Sequence, residues 1–358
     1  MKLVKASPIK KVIELSFALG ACNLKCSYCY IGNHSGKIQD IVWTDEEIRK
    51  AFSKKRIGCC FINICSDGET LIHKRMPSII RILLEEGHYV MVVTNATLTK
   101  RIKECLNMEE DLLERLFFKV SFHYEECLRM NILEKLFENI QKIKESPCSL
   151  TVEYITEDKT LKNIEKFKQL CMGKLGTLPQ INIPRNEKKY NLSVVSKYSL
   201  ENYKKEWNKE ISSELFKYRE QFFGKKYKEF CYAGVRQLWV EMSTGNSRQC
   251  YHKPIIQNFM KSKKILWPAV GYTCPEAHCY IAHLYMSFGT RLTSQNATYK
   301  ATYDEIRNRV CMDGTEWIKP VYKEAFQNGV EEWEYNPIDK LLNKYFNQFL
   351  YWIRREIK

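Results

Sequence analysis

Short apolar runs recur along the first half of the chain with helix-like stretches between them, and this alternation restricts the fold more than any other feature. The runs are Val12–Phe17, Phe61–Cys65, Tyr89–Thr94, Phe117–His123, Leu150–Thr156 and Gln180–Pro184. Asp45–Lys54, Met76–Glu86, Ile132–Glu145 and Leu161–Leu170 read as helices between most of them. Strand–helix alternation of this kind builds a parallel sheet, which makes the fold class α/β. No internal repeat or low-complexity tract competes with that reading.

Strands of a parallel sheet buried on both faces usually read as unbroken apolar runs. Here Ile13, Leu15 and Phe17 alternate with Glu14 and Ser16, and Ile62 and Ile64 with Asn63 and Cys65. Val120 and Phe122 alternate with Ser121 and His123; Leu150, Val152 and Tyr154 with Thr151 and Glu153; Ile181 and Ile183 with Gln180 and Asn182. One face is therefore expected to pack on helices while the other is small or polar. A sheet curled around a wet interior accounts for this better than a flat, doubly wound one.

Cys22, Cys26 and Cys29 follow the first run as C-x3-C-x2-C. A cubane iron–sulfur cluster takes four thiolates, so three from one tight loop leave one iron open to a small molecule. Two other readings stand beside this. Three close cysteines are half of a zinc site, although zinc ribbons pair C-x2-C units. Leu19-Gly20-Ala21-Cys22 behind a lysine-rich start looks like a lipoprotein cleavage box, but Glu14 interrupts its apolar core.

The run Cys22-Asn23-Leu24-Lys25-Cys26-Ser27-Tyr28-Cys29 resembles the motif of the radical S-adenosylmethionine (SAM) superfamily, including the aromatic residue before the last cysteine. The resemblance implies a partial (β/α)6 barrel, here over residues 1–185, with ligands at the carboxyl ends of the strands, as in closed barrels. It implies a SAM-binding 4Fe-4S cluster on Cys22, Cys26 and Cys29, whose open iron is chelated by the methionine part of SAM. Asp67-Gly68-Glu69-Thr70 stands where the family carries Gly-Gly-Glu-Pro, which implies that Gly68 and Glu69 meet the SAM ammonium; alone, the segment reads as a turn. Thr94-Asn95-Ala96 stands where the family shows Thr-Asn-Gly, implying Asn95 as a ribose contact, and Tyr28 is implied to present its backbone to adenine.

Ser121 and His123 point inward from the fourth run as further cofactor contacts, His123 having a core role as its alternative. Asn182 and Arg185 end the sixth run, facing the SAM carboxylate or an anionic substrate group; a solvent-facing Arg185 is the alternative. Glu153 on the fifth run is a candidate catalytic carboxylate, or else a partner for a buried Arg or Lys.

Residues 186–230 read as a helical bridging segment, followed by Cys231, Cys250, Cys274 and Cys279. Between the first two, Leu238–Met242, a Ser-Thr-Gly-Asn turn and Ser247–Tyr251 form a hairpin pattern. One cysteine before a hairpin, one at its end and two in a later loop resemble the twitch domain, the shorter relative of the SPASM domain. That resemblance assigns 231–330 to an auxiliary 4Fe-4S cluster with four protein ligands; a zinc site on the same cysteines is the alternative. The remaining cysteines read mostly as small buried hydrophobes. Cys65 and Cys311 are also candidate hydrogen-atom donors, as inversion of a stereocentre by a radical enzyme requires. The tail, 331–358, carries Leu341, Leu342, Tyr345, Phe346, Phe349 and Ile353 at helical spacing and reads as a docking helix.

The chain has 358 residues, long for one domain, and no run approaches the ~18 apolar residues that a membrane span needs. Fifteen scattered cysteines, an odd number, suit metal clusters in a reducing cytoplasm better than a secreted disulfide scaffold. The net charge of +15 comes from lysines spread along the chain rather than massed, so nucleic acid is not the expected partner. The resemblance implies an oxidoreductase or maturase that cleaves SAM reductively, with a 5′-deoxyadenosyl radical taking hydrogen from a substrate C–H bond. A ribosomal peptide substrate leads, for oxidation, crosslinking or epimerisation, with a flavodoxin- or ferredoxin-type electron donor. The stretch before Cys22 is too short for the winged-helix module of many peptide-modifying relatives, which favours the alternative of a carbohydrate, amino-sugar or glycan substrate. The distant alternative is a basic, zinc-bearing nucleic-acid-binding protein.

Overall fold

The computed structural model describes residues 9–32, 36–186, 192–226, 230–251, 253–272, 274, 276, 278–280, 306–327 and 335–356. Six strands run parallel and in sequence order: β1 (Lys11–Phe17), β2 (Cys60–Ser66), β3 (Tyr89–Thr94), β4 (Leu116–Phe122), β5 (Ser149–Ile155) and β6 (Gln180–Asn182). Each lies within a residue or two of the run that announced it. Helices such as Met76–Glu85 and Leu133–Glu145 pack on one face. The first buries Met76, Ile79, Ile80 and Leu83, and the second Leu136, Phe137, Ile140 and Ile143. The first set has the spacing i, i+3, i+4, i+7 and the second i, i+1, i+4, i+7, each one stripe of its helix, and full burial of each large side chain contributes about 2 kcal/mol.

The opposite face carries three layers. Val12, Phe61, Met91 and Phe117 form an apolar layer near the amino ends of the strands. Above it come Glu14, Asn63, Lys119 and Glu153, then Ser16, Cys65, Val93, Ser121 and Ile155. Register sets Glu14 beside Asn63 on β2 but Ser121 beside Glu153 on β5, so the layers step along the strands as they pass round the wall. The polar alternation read from the sequence is thus the wall of an interior cavity.

Residues 306–327, expected with the auxiliary region, instead close the amino end of this interior. Helix Pro320–Gln327 sets the Tyr322 ring edge-on to Phe61, Tyr89 and Phe117, and its hydroxyl donates to the carbonyls of Val90 and Arg115 at 3.0 and 2.8 Å.

A short hairpin, β7 (Arg185–Asn186) with β8 (Ser193–Val194), follows the barrel strands, and helices Leu200–Glu210 and Glu214–Glu220 occupy the expected bridging segment. Beyond it, β9 (Gln237–Glu241) and β10 (Asn246–Arg248) form the expected hairpin, with an unanticipated β11 (Ile255–Asn258) beside β10. β9 pairs in parallel with β1, giving one nine-stranded sheet in the order β11-β10-β9-β1-β2-β3-β4-β5-β6. The cysteine-bearing hairpin is therefore continuous with the barrel wall.

The helix Pro337–Glu356 docks, but not through its apolar stripe. Asn343 and Asn347 are buried and donate to the Ala269 carbonyl at 3.0 and 2.8 Å, while Tyr351 donates to Gln249 at 2.6 Å. Leu341, Leu342, Tyr345, Phe346 and Phe349 face outward and Ile353 is half-buried. The loop below presents carbonyls outside any strand, and buried carbonyls need donors that an apolar stripe lacks.

Candidate functional site

The cysteine loop leaves β1 at its carboxyl end and is pinned to the end of β2. The Asp67 carboxylate accepts from Gly20 N–H at 2.8 Å, and Glu69 N–H donates to the Ala21 carbonyl at 2.9 Å. Gly68 passes so close that a Cβ there would lie 1.9 Å from the Ala21 oxygen, a position only glycine fits. A second tether runs from Asn23, which donates to Thr97 and accepts from Asn95 at 2.9 Å. A third joins Lys25 N–H to Glu126 at 2.8 Å.

Held this way, Cys22, Cys26 and Cys29 line one cavity of about 390 Å³ at the carboxyl ends of the strands. Tyr28, Gly68, Ser121, His123, Glu153, Asn182, Arg185 and Cys65 line the same cavity. Burial pushes the Cys22 and Cys26 thiols up; Cys29 adds to the first, and Cys22 and Cys29 add to the second. Burial also raises Tyr28, which keeps its proton and is hydrogen-bonded to His123 Nδ1 at 2.6 Å. His123 is lowered to about 4 by burial, so its imidazole is neutral.

Three expected residues do not reach the cavity. Glu69 is 2% exposed and turns into the fold, accepting from Leu71 N–H, Thr94 and Asn95 N–H at 3.0, 2.5 and 2.7 Å. Its carboxylate locks the end of β2 to the end of β3 and spends three of its about four acceptor positions inside the fold. Asn95 is likewise spent on the loop, through Asn23 and Thr97. Cys311 lies at the closed end, its thiol donating to the Leu175 carbonyl at 3.3 Å. That end faces away from the cysteine triad.

Glu153 takes the structural pairing named above as its alternative. Arg307 bonds one carboxylate oxygen and Lys119 approaches the other at 3.4 Å. Burial alone would raise this carboxyl; the charges of Lys119, Arg307 and Arg219 outweigh it and hold the group at about 2. It is an ionised ion-pair partner, a poor proton acceptor at neutral pH. Arg219 also bonds Asn182, and Arg185 lies over the rings of Tyr30 and Tyr280 at 5.0 and 5.4 Å.

Sequence reasoning missed Lys119, Arg219 and Arg307. Lys119 shares the face of Ser121 and carried the same signal; the two arginines arrive from segments outside the strands and carried none.

Cys231, Cys250, Cys274 and Cys279 also come together. Cys231 bridges Gly271 through two backbone hydrogen bonds of 3.1 and 2.9 Å, bringing it to the loop that holds Cys274. Burial raises the Cys250 thiol, and Cys231, Cys279 and Cys274 raise it further. Lys253, 5% exposed, sits among them. Arg185, Arg219 and Tyr280 line the main cavity and also the smaller pocket that contains Cys279.

Residues 18–171 match the family model described as the radical SAM superfamily. The chain carries a radical SAM domain. No curated protein matches it. Among solved structures, SuiB of Streptococcus suis bound to S-adenosylmethionine is 13% identical over 72% of this chain and 62% of that one, with a TM-score of 0.46. The chain thus spans less than two thirds of the SuiB length. anSMEcpe with bound AdoMet is 16% identical over 70% and 79%, with a TM-score of 0.47. BtrN in complex with AdoMet and 2-DOIA is 14% identical over 72% and 81%, at 0.38.

The radical SAM domain's cysteines fit the cluster of its family. They are free thiols on one cavity wall, close enough to perturb one another. Among the described residues, no three His, Cys, Asp or Glu side chains close around a single metal ion.

Proposed function

We propose that the protein is a radical SAM enzyme that uses the cavity to abstract hydrogen from a C–H bond of a peptide. The observation that carries this reading is the convergence of Cys22, Cys26 and Cys29 on a cavity whose deeper wall is polar and charged. When bound, a cluster on these thiolates and SAM supply the carbon-centred radical; the hard chemistry is the cofactor's. The chain's own residues orient and exclude water. Asp67 and Gly68 fix the cysteine loop, neutral His123 is hydrogen-bonded to Tyr28, and Ser121 and Asn182 offer hydrogen bonds along the wall.

Cys231, Cys250, Cys274 and Cys279 are read as the ligands of an auxiliary 4Fe-4S cluster in a twitch-like region. Their mutual raising of the Cys250 thiol supports it. Such a cluster passes electrons between the cavity and a flavodoxin- or ferredoxin-type donor. The free state of all the cysteines favours a reducing compartment such as the cytoplasm. No helix among the described residues is long and apolar enough to cross a membrane.

A second reading, a carbohydrate or amino-sugar substrate, is favoured by one observation. The cavity wall offers Ser16, Asn63, Ser121 and Asn182, groups suited to hydroxyls. Anaerobic reconstitution with iron and sulfide counting tests the cofactor set: about eight irons per chain support two cubanes, and about four support one. Turnover of a peptide library against a panel of amino sugars separates the substrate classes.

A further inference from the structure

Cys65 lines the cavity from β2, and among the described residues it is the one cysteine there outside the triad. Its thiol donates to Glu14 Oε1 on the neighbouring strand at 3.2 Å. Asn63 donates to the same oxygen at 2.6 Å. Glu14 is 6% exposed and lines the cavity, yet its Oε2 has no hydrogen-bond partner among the described residues. A buried polar atom without a partner costs about 1–3 kcal/mol, and such an atom on a cavity wall points to a ligand or a chemical task.

We infer that Cys65 and Glu14 form a hydrogen-return site, in which the Cys65 thiol gives a hydrogen atom to a substrate carbon radical and Glu14 supplies the proton that restores the thiol. The inference rests on the radical SAM reading and deepens it, since returning a hydrogen to the carbon that lost one makes an epimerisation.

Burial raises the Glu14 carboxyl, which favours its acid form, and burial then Glu14 raise the Cys65 thiol, which keeps its S–H. With Oε1 accepting twice, the acid proton sits on Oε2, the oxygen left without a partner. The steps balance. The substrate C–H bond breaks and its hydrogen goes to the SAM-derived radical, giving 5′-deoxyadenosine. The S–H bond of Cys65 then breaks and a new C–H bond forms, leaving a thiyl radical. One electron from a one-electron donor of the iron–sulfur class, plus the Glu14 proton, regenerate the thiol, and solvent reprotonates Glu14. Two electrons are consumed per turnover, one at SAM and one at the thiyl.

The test needs no substrate. Without one, the SAM-derived radical takes hydrogen from the weakest bond in reach, and a thiol is the exchangeable group that yields an atom readily. The reconstituted holoenzyme is given SAM and dithionite in D2O, free of added thiols, and its 5′-deoxyadenosine is analysed by mass spectrometry. The expected result is one deuterium in the wild-type product, reduced by about tenfold or more in Cys65→Ser and Cys65→Ala. An independent readout is the infrared S–H stretch of the SAM-free protein, which loses one band in Cys65→Ser and shifts in Glu14→Gln. Unlabelled 5′-deoxyadenosine from the wild type, or labelling unchanged in both Cys65 variants, overturns this inference and leaves the radical SAM reading standing. No 5′-deoxyadenosine at all overturns both.

Discussion

Asp67 holds Gly20: its carboxylate accepts the Gly20 N–H at 2.8 Å across 47 residues of sequence, while the adjacent Gly68 lies against the Ala21 carbonyl. The cysteine loop is thereby fixed to the end of β2 before any cofactor arrives.

Gly68→Ala is therefore expected to cost about 3 kcal/mol or more, because backbone rather than a flexible side chain must move. Iron content after reconstitution should fall with it. Chemical denaturation and iron analysis of the same preparation check both.

Removing Arg307 leaves Glu153 buried with fewer partners, and breaking one side of a buried pair costs about 3–5 kcal/mol. The sign with pH follows from Glu153, which is held at about 2 in the fold against 4.5 unfolded. Its contribution is full above 4.5 and is lost as pH falls toward 2. In Arg307→Leu the folded value rises toward 4.5, so the pH-dependent loss becomes smaller and is complete at a higher pH. Urea titrations between pH 2 and 6 report the difference.

His123 acts in a different window. Its folded value of about 4 lies below 6.5, so the unfolded chain binds the extra proton between those values. Stability should decline as pH falls from 6.5 to 4, and His123→Asn should flatten that part of the profile. Midpoints of urea unfolding measured across this range provide the check.

On the carboxy-terminal helix, Asn347→Ala should destabilise by about 1–3 kcal/mol, since it strips donors from the Ala269 and Val270 carbonyls. Phe349→Ser, on the outward stripe, should change stability by less than about 0.5 kcal/mol. Thermal unfolding of the two variants distinguishes them.

The strands were legible because each alternates residues between helix-packed and cavity-facing sides, and Glu14, Asn63, Ser121 and Glu153 all fell on the inner face as the period-two pattern requires. The triad was legible because its ligands lie within one short loop. For Glu69 and Asn95 a motif names residues, whereas hydrogen bonds decide which way they turn; in this fold Glu69 ties the ends of β2 and β3 together and Asn95 holds the cysteine loop. Arg219 and Arg307 were invisible because only tertiary folding carries them to Glu153. The last helix misled because an apolar stripe is ordinarily the buried one, and here three polar residues dock instead.

The most direct test is 5′-deoxyadenosine formation from SAM and dithionite by anaerobically reconstituted protein, with Cys26→Ala beside it. The account predicts formation by the wild type and none above background in Cys26→Ala. No product from an iron-loaded wild type, or equal product from both proteins, would contradict it.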